Sequence, residues 1–175
     1  MVTLAQARAV VAAVPDPELP VLTLGDLGIV REVRQRADGG FEVVVTPTYS
    51  GCPAMDAIRE DIGRALPGAV VTTVLSPPWS TDWITDEGRE KLREHGISPP
   101  GRLRGRGTVA LELSERGAVA LELSEWGAVA LELSARCPRC GSPETRLVSR
   151  YGSTACKALY TCRVCLEPFD HFKEI

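Results

Sequence analysis

The stretch Ile29-Val30-Arg31-Glu32-Val33-Arg34-Gln35-Arg36-Ala37-Asp38-Gly39-Gly40-Phe41-Glu42-Val43-Val44-Val45-Thr46-Pro47-Thr48-Tyr49-Ser50-Gly51-Cys52-Pro53 decides how the N-terminal part of this chain is read. Two strand-like runs, Ile29 to Gln35 and Phe41 to Thr46, flank Ala37-Asp38-Gly39-Gly40, a turn sequence. Together they predict a β-hairpin. Pro53 suits the first turn of a helix, where its missing N–H leaves no bond unmade, so Cys52 to Leu66 reads as a helix. Ala69 to Leu75, rich in β-branched residues, reads as a third strand.

Upstream, Thr3 and Gln6 form a capping-box pattern ahead of a helix whose Leu4, Ala7, Val10, Val11 and Val14 share one face. Pro15 and Pro17 stop it in the loop Asp16-Pro17-Glu18-Leu19-Pro20. Downstream, Thr85 caps a charged helix that closes at Gly96. The order α-β-β-α-β-α predicts an α+β chain whose residues 1–100 form a two-layer α/β domain.

Residues 101–136 read as a linker. Gly107-Thr108-Val109-Ala110-Leu111-Glu112-Leu113-Ser114-Glu115-Arg116 recurs nearly unchanged from Gly117 and again from Gly127. A ten-residue period is too short for the usual solenoid units. Alternation within each copy favours strands turning at glycine. A helix is the second reading, though a ten-residue period would rotate its apolar stripe from copy to copy. Without polar clusters, the repeat reads as a spacer.

Residues 137–175 carry the strongest chemical signal: Cys137-Pro138-Arg139-Cys140 and Cys162-Arg163-Val164-Cys165. A two-residue gap lets both sulfurs of a pair reach one ion, and two pairs make the tetrahedral four-thiolate shell that zinc prefers. Iron would accept the same ligands. Between the pairs, Arg146 to Ser149 and Leu159 to Thr161 favour strands, enough for a zinc ribbon whose folding depends on its metal. The ribbon has six Lys or Arg against four Asp or Glu, and four thiolates on a divalent ion cancel that excess. Little remains to attract phosphate, so a nucleic-acid partner is not expected.

The whole chain argues the same way. Its 175 residues carry a net charge of -3, which offers no broad positive field. No apolar run is long enough for a bilayer, and the N-terminus lacks a signal-peptide pattern, so no membrane is expected and a cytoplasmic setting with reduced thiols is. Trp79 and Trp83 read as loop packing or as a partner patch.

Two cysteines stand outside the pairs. Cys156 reads as a small core residue, or as a thiol activated by Lys157. Cys52 precedes a predicted helix N-terminus, where free N–H groups and the helix dipole stabilise a thiolate. Thr46, Thr48 and Tyr49 offer hydroxyls on the approach, and Asp26 in Gly25-Asp26-Leu27-Gly28 is a candidate for the same pocket. The other reading of Cys52 is a buried cysteine without chemistry. His95 and His171, the two histidines, form no convincing nucleophile–base pair with it, so no independent enzyme is expected.

Asp16-Pro17-Glu18-Leu19-Pro20, Asp26-Leu27-Gly28, Thr46-Pro47-Thr48 and Cys52-Pro53 resemble a module of iron–sulfur assembly factors, the domain of unknown function 59. The stretches Pro47 to Ala54, Trp79 to Trp83, Gly96 to Pro100, Gly152 to Tyr160 and Glu167 to Asp170 look like the D-subunit family of bacterial phenylacetyl-CoA 1,2-epoxidases. The likeness covers residues 14–100 and 137–175, and the repeats replace a shorter polar connection. It implies an accessory role in maturing a metal centre of a multicomponent oxygenase, with its di-iron oxygenase and iron–sulfur flavin reductase subunits as partners. It also implies that Cys52 matches the reactive cysteine of the assembly module, transiently holding iron, a nascent cluster or sulfur, while Asp26 and Thr48 shape the pocket. A structural or regulatory subunit that stays in the oxygenase complex is the alternative.

Overall fold

The computed structural model describes residues 2–101 and 135–174. Helix α1, Leu4–Ala12, starts at the capping box: the Gln6 N–H donates to Thr3 Oγ1 at 3.2 Å, and the Thr3 N–H donates to Gln6 Oε1 at 2.9 Å. Ala7 and Val11 are buried, whereas Val10, grouped with them by periodicity, lies at the open edge of the stripe. Beyond it the chain folds back on itself, with the Leu24 N–H donating to Val14 O and the Asp16 N–H to Leu22 O. A one-turn helix, α2, Leu24–Leu27, follows, because Thr23 and Asp26 make a second capping box.

The hairpin is present. Strand β1, Val30–Gln35, runs antiparallel to β2, Phe41–Val45, pairing Val33 with Val43 and Gln35 with Phe41. A bulge between Val30 and Glu32 shifts the register at the open end. Helix α3, Met55–Ala65, buries Met55, Ile58 and Ile62. Its outer face pairs Arg59 with Asp56 at 2.5 Å and Arg64 with Glu60 at 2.9 Å and with Asp61, the solvated face its charges predict. The helix carries the chain to β3, Val70–Thr73, which lies parallel to β2 with Glu42 opposite Val70. A 3₁₀ turn, Thr81–Trp83, leads to α4, Asp86–Glu94, capped by Thr85 and closed at Gly96, whose φ is 73°.

The C-terminal segment builds a second sheet in the order β4-β7-β6-β5. Strands β5 (Thr145–Ser149), β6 (Lys157–Cys162) and β7 (Pro168–Phe172) form an antiparallel meander. Two of these strands coincide with the predicted runs; β7 was not among them. Strand β4, Ile97–Ser98, comes from the N-terminal part and pairs parallel to β7, so one sheet joins both parts of the chain.

Strand periodicity explains how β7 serves two cores at once. Side chains alternate across a strand, so Phe169 and Phe172, three residues apart, face opposite ways. Phe169 stacks on Tyr160 at 6.0 Å between ring centroids and packs with Ala135, Cys137 and Cys162. Phe172 joins the N-terminal core, its ring 6.0 Å from that of Trp79. Full burial of one such phenylalanine stabilises by about 1.5–3 kcal/mol, so Phe172 is a principal tie between the two parts. Trp79 is packed too, with its indole N–H donating to Leu27 O at 2.8 Å. Trp83 is half-buried under the Arg31 guanidinium, 3.5 Å from the ring centroid. Of the ten-residue repeats, all but Ala135 and Arg136 lie outside the described residues. Among the described residues no helix is long and apolar enough to cross a membrane.

Candidate functional site

Two chemical features converge on the C-terminal sheet. The first is the cysteine quartet. Each pair sits on the same local structure: the Cys137 N–H donates to Ser142 O at 3.0 Å, and the Cys162 N–H donates to Glu167 O at 2.9 Å, five residues on in both cases. The residue after each second cysteine is left-handed, Gly141 at φ 74° and Leu166 at φ 63°. This turn brings the sulfurs of a pair together, and the meander brings the pairs together. All four Sγ atoms lie within 4.8 Å of one another, with Cys137–Cys165 and Cys140–Cys162 both at 3.6 Å. A tetrahedral shell with metal–sulfur bonds of about 2.3 Å has sulfurs about 3.8 Å apart, so this donor set fits one zinc ion. Cys137 and Cys162 are buried and Cys140 and Cys165 exposed. The N–H groups of Cys165 and Val164 point at Cys162 Sγ and hold that thiol down to about 7.

The second feature is a cavity of about 10 Å³ between the two parts of the molecule, lined by Cys52, Thr48, Asp16, Glu18 and, from the C-terminal segment, Cys156 and Phe172. Cys52 lies on the turn ahead of α3, three residues before Met55, and is half-buried. The sequence predicts a helix from Cys52; Pro53 and Ala54 instead belong to the turn before it. The Ala54 N–H opposes the rise in the Cys52 pKa, yet burial outweighs it, and the Glu18 and Asp16 carboxylates push the thiol up further. The depressed pKa expected from the helix dipole is therefore not what the geometry produces. Desolvation costs a thiolate more than one backbone donor returns.

Asp16 is buried, with its Oδ1 accepting from the N–H groups of Leu19 at 2.8 Å and Glu18 at 3.0 Å. Burial still raises its carboxyl above the usual range. Thr48, also buried, lines the cavity. Asp26 does not. Its carboxylate accepts from the Thr23 N–H at 2.9 Å and from Lys91 Nζ at 2.6 Å. Burial alone would raise its pKa, but Lys91 and Thr23 outweigh that and lower it. Its backbone oxygen accepts from the Thr85 N–H, so Asp26 joins α2 to α4.

The residue that sequence reasoning did not connect to this pocket is Cys156. It is 5% exposed, within the N-terminal core, although it belongs to the ribbon segment. Thr154 Oγ1 lies 3.0 Å from its Sγ, but burial raises its pKa, and Lys157, the suggested activator, is committed to Asp170 at 3.2 Å. No local pattern marks Cys156 as a neighbour of Cys52. Asp16 and Glu18 were legible only as part of a loop motif. His171 is buried against Ser98 O at 3.1 Å and His95 sits on Lys91 O; neither lines the cavity.

Two family models match the chain: the iron–sulfur cluster assembly protein over residues 4–76 and the PaaD zinc beta ribbon domain over residues 125–173. The chain is 45% identical over 170 residues to a protein of Escherichia coli K12 that bears the name of the 1,2-phenylacetyl-CoA epoxidase D-subunit, covering 94% of this chain and 89% of that protein. It is 34% identical over 83 residues to an Fe–S protein maturation auxiliary factor of Porphyromonas gingivalis, covering 44% of this chain and 78% of that protein. A solved domain of unknown function 59 from Bacillus anthracis aligns with 51% of this chain and 90% of its own, at 24% identity and a TM-score of 0.43.

Proposed function

This chain belongs to the D-subunit family of 1,2-phenylacetyl-CoA epoxidases, and from that premise we propose that it matures a metal centre of such an oxygenase through Cys52. An accessory role in iron–sulfur assembly fits both the D-subunit relative and the match to the assembly-protein family. The observation that carries the proposal is the shared cavity. The cysteine that resembles the assembly module's reactive residue is half-buried, and it lines a pocket closed by the ribbon segment.

In this reading Cys52 transiently holds the cargo, Thr48 lines its seat, and Asp26 acts at a distance by fixing α2 against α4. The quartet Cys137, Cys140, Cys162 and Cys165 holds zinc as a resident structural ion, with iron as the other occupant its thiolates accept. That ion supplies folding free energy to a ribbon with few core residues of its own. The protein is an accessory subunit and not the catalyst, its clients are the oxygenase and reductase subunits, and its setting is the reducing cytoplasm. The domain limits 1–100, 101–136 and 137–175 serve as working boundaries.

A structural subunit that stays in the complex is the second reading. The edge strand β5 favours it, because Leu147, Val148 and nearby Tyr151 are exposed there. The deciding experiment measures iron and acid-labile sulfide in the oxygenase and reductase subunits, co-expressed with this protein, without it, and with Cys52→Ser. Centres that fill only beside the intact protein support maturation through Cys52. Equal filling in all three overturns it and leaves the structural reading.

A further inference from the structure

We propose that Cys52 and Cys156 together ligate one thiophilic divalent metal ion as cargo, so that the binding seat is a two-thiol site spanning both parts of the chain. The inference rests on the reading of Cys52 as a cargo-handling thiol, and it specifies what the cargo is and what completes the site.

Three observations carry it. First, both thiols line the same cavity, one from the turn before α3 and one from the residue before β6. Second, the cavity's other polar groups are the carboxylates of Asp16 and Glu18 and the Thr48 hydroxyl, and no Lys, Arg or His lines it. Lys157, the cation next to Cys156, is outside the lining and paired with Asp170 at 3.2 Å, so thiols beside carboxylates call for a positive occupant. An anionic one such as sulfide would meet uncompensated like charge. Third, its volume of about 10 Å³ accepts an occupant the size of one water molecule. A two-iron, two-sulfide core, with four heavy atoms, does not fit that space. Sulfur donors beside oxygen donors suit a borderline ion such as ferrous iron. On binding, each thiol gives its proton to solvent and the metal keeps its oxidation state.

The arrangement gives the ribbon a second task. Cys156 reaches the cavity only because β6 and β7 dock on the N-terminal core through Phe172, so the resident ribbon ion holds the second cargo ligand in place.

The test uses the full chain with its ribbon zinc-loaded, titrated anaerobically with Co²⁺ and then with Fe²⁺, with zinc content checked before and after. One cobalt per chain beyond the ribbon zinc is expected, with two sulfur neighbours by X-ray absorption at the cobalt edge. Cys156→Ser and Cys52→Ser should each weaken binding tenfold or more. Cys156→Ala and thermal unfolding control for packing, and the sulfur count in the unmutated protein needs no variant. Absence of the extra ion, a single sulfur neighbour, unchanged binding in both Cys156 variants, or uptake of two or more irons with sulfide would each overturn the proposal. Should Cys156→Ser fill client centres in cells while Cys52→Ser does not, only the two-thiol site falls. Should both variants fill them, the Cys52 reading falls as well.

Discussion

Replacing Phe172 by alanine tests whether the ribbon is docked or merely tethered. Phe172 is 1% exposed and is among the largest fully buried side chains, though it comes from the last strand. It touches Trp79 and closes the thiol cavity. Truncating a buried phenylalanine costs about 3–5 kcal/mol, the lost transfer energy plus the void left behind. For a chain of this size each kcal/mol lowers the melting temperature by about 2–4 °C, so a fall of roughly 6–20 °C is expected. The more specific consequence is chemical. With the plug removed, Cys156 becomes reachable, and its alkylation by iodoacetamide, followed by peptide mass spectrometry, should accelerate at least tenfold while ribbon zinc is retained. Phe169→Ala, on the opposite face of β7, should do the reverse: weaken zinc retention, with Cys156 staying protected as long as the zinc is bound. Unchanged alkylation of Cys156 in Phe172→Ala would refute the argument that docking shields this thiol.

Three further outcomes follow from single residues. Leu166 holds a left-handed φ of 63° that costs a leucine about 1–2 kcal/mol, so Leu166→Gly should stabilise the zinc-loaded ribbon by up to about 1 kcal/mol in denaturant titration, after glycine's own entropy is subtracted. Gly28 has φ 67°, and a Cβ there would stand 2.7 Å from Trp83 Cβ and O, so Gly28→Ala should cost about 3 kcal/mol or more and show as a lowered urea midpoint. Because the folded pKa of Asp26 is depressed by Lys91 and Thr23, its stabilisation is full above the unfolded carboxylate value of about 4 and is lost as pH falls through the folded value. Lys91→Met should therefore flatten the acid limb of the stability profile below about pH 4; an unchanged limb would count against the ion pair.

Much of this molecule could be read from local signals. The hairpin, the Thr3 and Thr85 caps, the β5 and β6 runs and the cysteine spacing each depend on residues a few positions apart, which propensity, turn chemistry and ligand geometry constrain directly. The misreadings have the same physical origin. Asp26 resembles a pocket residue by position, but a capping box and Lys91, far along the chain, claim its carboxylate. Cys52 stands near a helix start, but its pKa depends on burial created by Leu27, Ile29, Ile58 and Phe172 around the same cavity.

By itself, then, the sequence determined most of the elements, the two-layer order of the N-terminal part, the paired spacing of the cysteine quartet and the family. The tertiary structure alone decided that β4 joins the ribbon's sheet, that β7 presents Phe169 to one core and Phe172 to another, and that Cys156 lines the same cavity as Cys52. Those facts rest on contacts between distant segments. Periodicity shows that a strand has two faces; only the packed chain determines what each face meets.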